Sequence, residues 1–136
     1  MNPHILGDPA TDYLYAGTNQ DPPVDYAWYN GHMTHPVGQK LPNELGIFDM
    51  SGNVWERVWD WYPSEGNYSV YPGTSGATDP TGPASGSLRL VRGGSWVSPV
   101  GCMRVSVRSG ATPGNQFYDL GLRLVRTAVK GEKRRA

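Results

Sequence analysis

Two short stretches decide the fold of this chain: residues 49–61, DMSGNVWERVWDW, and residues 92–96, RGGSW. The first sets acidic residues on both sides of a Gly-Asn turn and continues into a run of tryptophan and valine, residue types that favour strands. The second ends a strand-like segment on two glycines and an aromatic residue. We therefore predict a strand at each place. The segment after Trp96 is expected to decide between an enzyme and a binding domain.

The remaining sequence predicts a sheet of short antiparallel strands with little helix. Several segments alternate apolar and polar residues with a period of two, which suits a sheet with one face on a core. With 18 glycines and 12 prolines, the chain should contain many turns, and residues 62–87 should form a long loop. The predicted strands are residues 13–16, 54–61, 88–92, 103–108 and 120–125.

Length and composition narrow the class of protein. A chain of 136 residues corresponds to one domain, and 11% aromatic residues is too many for a disordered chain. No apolar run approaches a membrane span and no signal peptide is visible, so we predict no membrane partner and a cytoplasmic location by default. Cys102 is the single cysteine, which excludes an internal disulfide.

Charge is unevenly distributed along the chain. Residues 1–88 hold ten acidic and two basic residues, and residues 89–136 hold ten basic and two acidic ones. This asymmetry indicates either a basic nucleic-acid surface or two halves that pair their charges. We favour pairing and predict no nucleic-acid partner, because most arginines of the second half lie in strand-like runs. Residues 129–136 are interpreted as a solvated basic tail.

With its motifs taken together, the chain resembles the formylglycine-generating enzyme family, also called the sulfatase-modifying-factor family, from about residue 13 to residue 125. The resemblance implies an α+β, C-type-lectin-like fold with short antiparallel strands, little helix and much irregular structure. The motifs that carry it are THPVG at 34–38, PNELG at 42–46, FDMSGNVWE at 48–56, DPTGP at 79–83, RGGSW at 92–96 and LGLR at 120–123.

The chain departs from the family pattern in three ways. Residues 1–128 are predicted to form a single domain that lacks the family's usual N-terminal half. Arg57 stands where the family usually has tryptophan, and Leu122 where it usually has phenylalanine. A missing half suggests an exposed sheet edge or apolar surface that a second copy could cover, so we predict a homo-oligomer.

The resemblance also implies a calcium site at the first motif. Related enzymes bind calcium through side chains at the positions of Asp49 and Glu56, completed by backbone carbonyls at the positions of Gly52 and Val54. Oxygen ligands of this mixed kind suit calcium. The alternative is a structural turn in which Asp49 caps local amides and Glu56 pairs with an arginine of the basic half.

Catalysis by the family's mechanism is not predicted. The family's oxidase uses two cysteines after the Gly-Gly-Ser-aromatic motif, and this pair binds Cu(I), for which soft thiolates are the appropriate ligands. Here Ser98 stands at the first position and Cys102 lies near the second, so copper is not expected. We interpret Cys102 as a small, partly buried hydrophobe, and as the catalytic residue only if the chain is an enzyme.

The predicted function is a non-catalytic domain that binds an unknown protein or small ligand through its C-terminal loops. One version is a binding protein diversified by a retroelement, whose variable stretches would be residues 97–102 and 110–118. The alternatives are a formylglycine-generating-type enzyme or a fragment of one, and an accessory subunit of a sulfatase-related pathway. The candidate contact residues are Trp96, Val97, Ser98, Cys102, Gln116, Phe117 and Tyr118.

Two further clusters have simple structural interpretations. His32 and His35 lie in a proline-flanked loop and make at most a partial metal site, so we interpret them as loop polarity. Four tryptophans could line a groove, but large aromatics more often build the core of a loop-rich domain, and at least two are expected there. The four tryptophans are Trp55, Trp59, Trp61 and Trp96.

Overall fold

The computed structural model describes residues 13–63 and 82–125, which contain one four-stranded sheet and almost no helix. The strands are β1 (Trp55–Trp61), β2 (Arg89–Arg92), β3 (Ser109–Ala111) and β4 (Leu120–Leu122), and a 3-10 turn covers Val100–Met103. The order across the sheet is β3-β2-β1-β4. This is the predicted α+β class. None of the described residues belongs to a helix long and apolar enough to cross a bilayer.

The sheet is mixed, with one parallel pair. β2 runs antiparallel to both β1 and β3, as predicted, whereas β4 lies parallel to β1 on its other side, with Trp55 opposite Leu120. The pairing of β1 with β2 shifts register between Arg57 and Trp61, so extra residues of β1 lie opposite β2 there. Such an irregularity changes the direction in which side chains point. Trp59 lies within it and is 84% exposed.

The predicted strands at 54–61 and 88–92 are confirmed to within one residue, and the one at 120–125 ends at Leu122. The predicted strand at 103–108 is wrong. Residue 103 ends the 3-10 turn, and the guanidinium of Arg92 donates to the carbonyls of Val105 and Val107, which therefore do not enter a ladder. At 13–16 only Tyr15 forms isolated bridges. Most of loop 62–87 and all of the tail 129–136 lie outside the described residues.

The core is built from residues of the loops and of the sheet. Tyr15, Ala27 and Met103 form a buried cluster, and Leu90, Val91 and Ala111 are buried on the strands. Burial raises the pKa of Tyr15, whose hydroxyl donates to Asp21. The expectation that two of the four tryptophans would be core residues is wrong, because none of the four is fully buried.

Candidate functional site

The segment after Trp96 is fixed at its start by two glycines. Gly93 and Gly94 have φ of +91° and +75°, a region that favours glycine. A Cβ on Gly94 would lie 2.9 Å from the carbonyl oxygen of Cys102, so the backbone can approach the 3-10 turn only because no side chain is present. Trp96 then donates its amide to Asn53 and accepts from the amide of Gly31, which locks the segment against the first motif.

A buried network of side chains joins this segment to the start of β4. The Ser95 hydroxyl donates to Asp119 Oδ2 at 2.9 Å, and the Ser95 and Ser98 hydroxyl oxygens are 2.8 Å apart. Ser98 is 8% exposed. The structure thus places Ser98 inside the molecule, where it holds the loop and does not face a ligand. No sequence pattern indicated that Ser95 and Asp119 would complete this network.

The predicted contact surface combines two exposed aromatic side chains of one segment with a half-buried tryptophan of another. The rings of Trp96 and Tyr118 lie 5.7 Å apart between centroids, with a tilt of 47°. Val97, Phe117 and Tyr118 are exposed, the last by 76%. Gln116 is exposed on the same loop. We name these five residues the aromatic surface: Trp96, Val97, Gln116, Phe117 and Tyr118.

Arg57 holds the loop that carries three of the five residues of the aromatic surface. Its Nη2 donates to the carbonyls of Thr112 and Asn115, at 3.1 and 2.7 Å. Charged donors make hydrogen bonds stronger than neutral ones do. The sequence did signal this residue, since Arg57 replaces the tryptophan usual in the resembled family, but the partner could not be read from it.

Cys102 lies beside the core. It is partly buried in the 3-10 turn and packs against the cluster of Tyr15, Ala27 and Met103. Its amide donates to Pro99, as expected within such a turn. This position agrees with the interpretation of Cys102 as a small hydrophobe.

The four candidate calcium ligands line one recess, next to Arg123. Asp49, Gly52, Val54 and Glu56 all border it. Asp49 Oδ2 accepts the amide of Gly38 at 2.7 Å, and both oxygens of Glu56 accept from Arg123. The hydrogen bonds to Glu56 raise the pKa of Arg123. The donors have the hard chemistry that suits calcium, but an ion would have to displace this guanidinium from Glu56.

The two loop histidines are interpreted as loop polarity and not as metal ligands. Within residues 13–63 and 82–125, no group of three or more histidine, cysteine, aspartate or glutamate side chains is placed to hold a metal. His35 stacks on Trp28, with ring centroids 3.7 Å apart and planes within 12°. Asn53 binds the backbone of His35 through both its side-chain oxygen and nitrogen. The imidazole of His35 is therefore part of the packing of this loop.

In comparisons with known proteins, residues 7–128 match the family model of the sulfatase-modifying factor enzyme 1-like domain. Two curated relatives are a chaperone protein named LppX from Paenibacillus barcinonensis, 32% identical over 89% of this chain, and a formylglycine-generating enzyme from Streptomyces coelicolor, 37% identical over 73%. The matches cover 44% and 31% of those proteins, so the chain spans less than half of their length.

Solved structures share this fold. The structure of Treponema denticola variable protein 1 superposes with a TM-score of 0.72 and is 40% identical in sequence. The match covers 82% of this chain and 40% of that protein. The structure of CarF superposes with a TM-score of 0.61 at 29% identity, over 90% of this chain and 40% of CarF. The sheet and loops described above are thus a shared architecture.

Proposed function

This chain belongs to the sulfatase-modifying factor enzyme 1-like family, as its motifs predicted, and from that premise we propose that it is a non-catalytic binding domain. Its contact surface is the aromatic surface, which binds a protein or a small ligand. Function depends on the site and not on the fold, so membership of the family alone does not imply oxidase activity.

The observation that carries the proposal is an exposed aromatic ring placed beside a fixed backbone. Tyr118 is 76% exposed and contacts the half-buried Trp96, and both flank the part-buried Ser95–Asp119 hydrogen bond. Aromatic side chains are enriched at binding surfaces because they offer large contact areas with few rotatable bonds. Loops on a rigid scaffold are also where binding residues concentrate.

The cysteine position supports a non-catalytic role. The family's oxidase needs two thiolates, whereas this chain has one thiol, partly buried against the core. At the other position stands Ser98, whose hydroxyl is 2.8 Å from that of Ser95. A buried hydroxyl in such a network is a poor substitute for a soft thiolate ligand.

Photocrosslinking in the native host tests the contact surface. The photoreactive amino acid p-benzoylphenylalanine would replace Tyr118 in one variant and Leu45, an exposed residue of another loop, in the control. We expect a discrete adduct from position 118 only, followed by direct binding of the identified partner to the purified protein. Equal adducts from both positions, or none from position 118, would count against the proposal.

A more specific version is that this surface is diversified by a retroelement. The similarity to a solved structure described as a variable protein, at 40% identity, supports this version. The variable residues would lie at 97–102 and 110–118. The surrounding DNA tests it, because a diversified gene requires a near-identical template repeat and a reverse transcriptase nearby. A genome without them would reject this version and leave the binding proposal standing.

The alternative is a formylglycine-generating-type enzyme, or a part of one that needs a partner. It is supported by the similarity to the Streptomyces coelicolor enzyme. The test is aldehyde formation on a cysteine-containing sulfatase peptide with copper. Turnover that disappears in Cys102→Ser would establish the enzyme and overturn the binding proposal. A stable complex with a larger sulfatase-related protein would instead support an accessory subunit.

We also propose that the domain forms a homo-oligomer. β3 and β4 are the two edges of the described sheet, and Leu122, Leu124 and Val125 at the β4 edge are largely exposed. Exposed apolar edges favour association. Sedimentation at micromolar concentration should show a dimer or larger species. A monomer at that concentration would reject this part of the proposal.

Calcium binding at the recess of Asp49 and Glu56 is proposed as a structural contribution. The four residues border the same recess, and carboxylate and backbone carbonyl oxygens are the ligands that a hard cation prefers. A bound calcium ion would supply positive charge between the two carboxylates, a role that Arg123 fills for Glu56 in the structure described here.

A further inference from the structure

A second polar recess lies at the far end of β1. It has a volume of about 280 Å³, near the lower limit for pockets that bind small molecules. The residue that distinguishes it is Trp59, which is 84% exposed although it lies within a strand. Its lining residues are Trp59, Asp60, Trp61, Pro83, Ala84 and Arg89.

Arg89 holds the two indoles of this recess. Its guanidinium carbon lies 3.5 Å from the ring centroid of Trp61 and 5.0 Å from that of Trp59, and Arg89 Nη1 donates to the carbonyl oxygen of Trp59. Cation–π contacts of this kind are favourable even at exposed sites. The hydrogen bond fixes the backbone of Trp59, and its indole offers an open face on which a flat ligand can stack.

We propose that this recess binds a carbohydrate, with one pyranose ring seated on Trp59. A β-linked pyranose presents axial C–H groups on a flat face, which pack on an aromatic ring, and hydroxyl groups around its rim. The carboxylate of Asp60 borders the same recess and can accept hydrogen bonds from those hydroxyls. The guanidinium of Arg89 also borders the recess, where it is engaged with the two indoles and the carbonyl of Trp59.

The local charges favour a sugar over other flat ligands. A nucleobase would also stack on an indole, but the phosphates of a nucleotide would be repelled by the carboxylate of Asp60. The guanidinium that would offset this repulsion is already placed over Trp61. A neutral sugar ring with many hydroxyl groups carries no negative charge for Asp60 to repel.

This recess is separate from the aromatic surface. The amide of Trp55, at the start of β1, donates to Asp119, next to Tyr118. Trp59 lies four residues after Trp55 on the strand, about 13 Å from Trp55 at the usual rise per residue. Substitutions at Trp59 and at Tyr118 therefore test the two proposals independently.

The experiment is calorimetric titration of the purified chain with cellobiose and with chitobiose. The variants are Trp59→Ala, Trp59→Phe and Asp60→Asn, and Tyr118→Ala is the matched control because it also removes an exposed aromatic ring. We expect at least one of the two sugars to bind. Trp59→Ala should weaken binding at least about tenfold through loss of stacking, with partial retention in Trp59→Phe. Asp60→Asn should weaken binding and Tyr118→Ala should leave it unchanged.

Several results would overturn the assignment. These are no binding of either sugar at millimolar concentration, unchanged binding in Trp59→Ala, equal losses in Trp59→Ala and Tyr118→Ala, or tighter binding of adenosine than of both sugars. Because Trp59 is 84% exposed, its replacement should leave the fold intact, which circular dichroism can verify.

Discussion

Arg123 holds Glu56 through two parallel hydrogen bonds, 2.6 Å from Nη2 to Oε1 and 2.8 Å from Nε to Oε2. Glu56 lies on β1, and Arg123 follows β4 directly. The same guanidinium donates to the carbonyls of Phe48 and Asp49, each at 3.1 Å. One side chain from the basic part of the sequence therefore joins the only parallel strand pair of the described sheet to the first motif. At this pair, the predicted pairing of charges between the halves is confirmed.

Replacing Arg123 should destabilise the domain. Arg123→Gln removes the fork that matches the carboxylate and leaves Glu56 partly buried without its partner, for an expected loss of about 1–3 kcal/mol. Arg123→Lys should recover only part of this loss, because an ammonium group cannot make two parallel bonds. Urea denaturation measures both. In a double-mutant cycle with Glu56→Gln, a coupling energy near zero would contradict this account.

Calcium should stabilise the Arg123→Gln variant more than the original protein. In the original protein an ion must displace a guanidinium from Glu56, whereas in the variant both carboxylates of the recess are open to it. The measurement is the melting temperature with calcium and with a chelator. Asp49→Asn in the same background is the control and should reduce the effect. If calcium shifts neither protein, the recess does not bind calcium.

Arg57 should control the mobility of the loop before β4. Arg57→Met removes the two hydrogen bonds to Thr112 and Asn115, so hydrogen exchange at residues 112–118 should become faster, with a loss of about 1–2 kcal/mol in stability. The segment after Trp96 serves as an internal reference, since Ser95 and Asp119 hold it independently. Uniform acceleration across both segments would mean that Arg57 acts on global stability alone.

The sequence predicted the strands best where alternation and β-propensity agreed. β1 and β2 are such segments, and both were placed to within one residue. The segment at 103–108 alternates equally well, yet Arg92 binds its carbonyls and Met103 turns into the core. Long-range contacts of this kind leave no local pattern. The exposure of Trp59 depends in the same way on a register shift that composition does not reveal.

The candidate sites, like the strands, could be predicted from the sequence only in part. Sequence placed Trp96 and Tyr118 on one surface, and the structure brings their rings together. It could not show that Ser98 faces inward, because a serine in a glycine-rich segment suits either side. It offered calcium ligation and arginine pairing as alternatives for Glu56, and the arginine contact is the one observed in the structure.

Two glycines with similar backbone angles should respond differently to alanine. Gly52 and Gly38 have φ of +82° and +75°, so both substitutions carry a strain of about 1 kcal/mol. A Cβ on Gly38 meets nothing within 4 Å, whereas one on Gly52 would lie 2.7 Å from the amide nitrogen of Trp28 and closer still to its carbonyl oxygen. Backbone atoms cannot move aside as a flexible side chain can.

Gly52→Ala should therefore cost about 3 kcal/mol or more, and Gly38→Ala about 1 kcal/mol, measured as free energies of unfolding in urea. If Gly52→Ala prevents folding altogether, soluble expression beside a folded Gly38→Ala gives the same ranking. Equal losses would mean that backbone strain alone requires glycine at residue 52. The larger loss follows if the first motif packs directly on the backbone of Trp28, as the hydrogen bond from the Asn53 amide to the Trp28 carbonyl indicates.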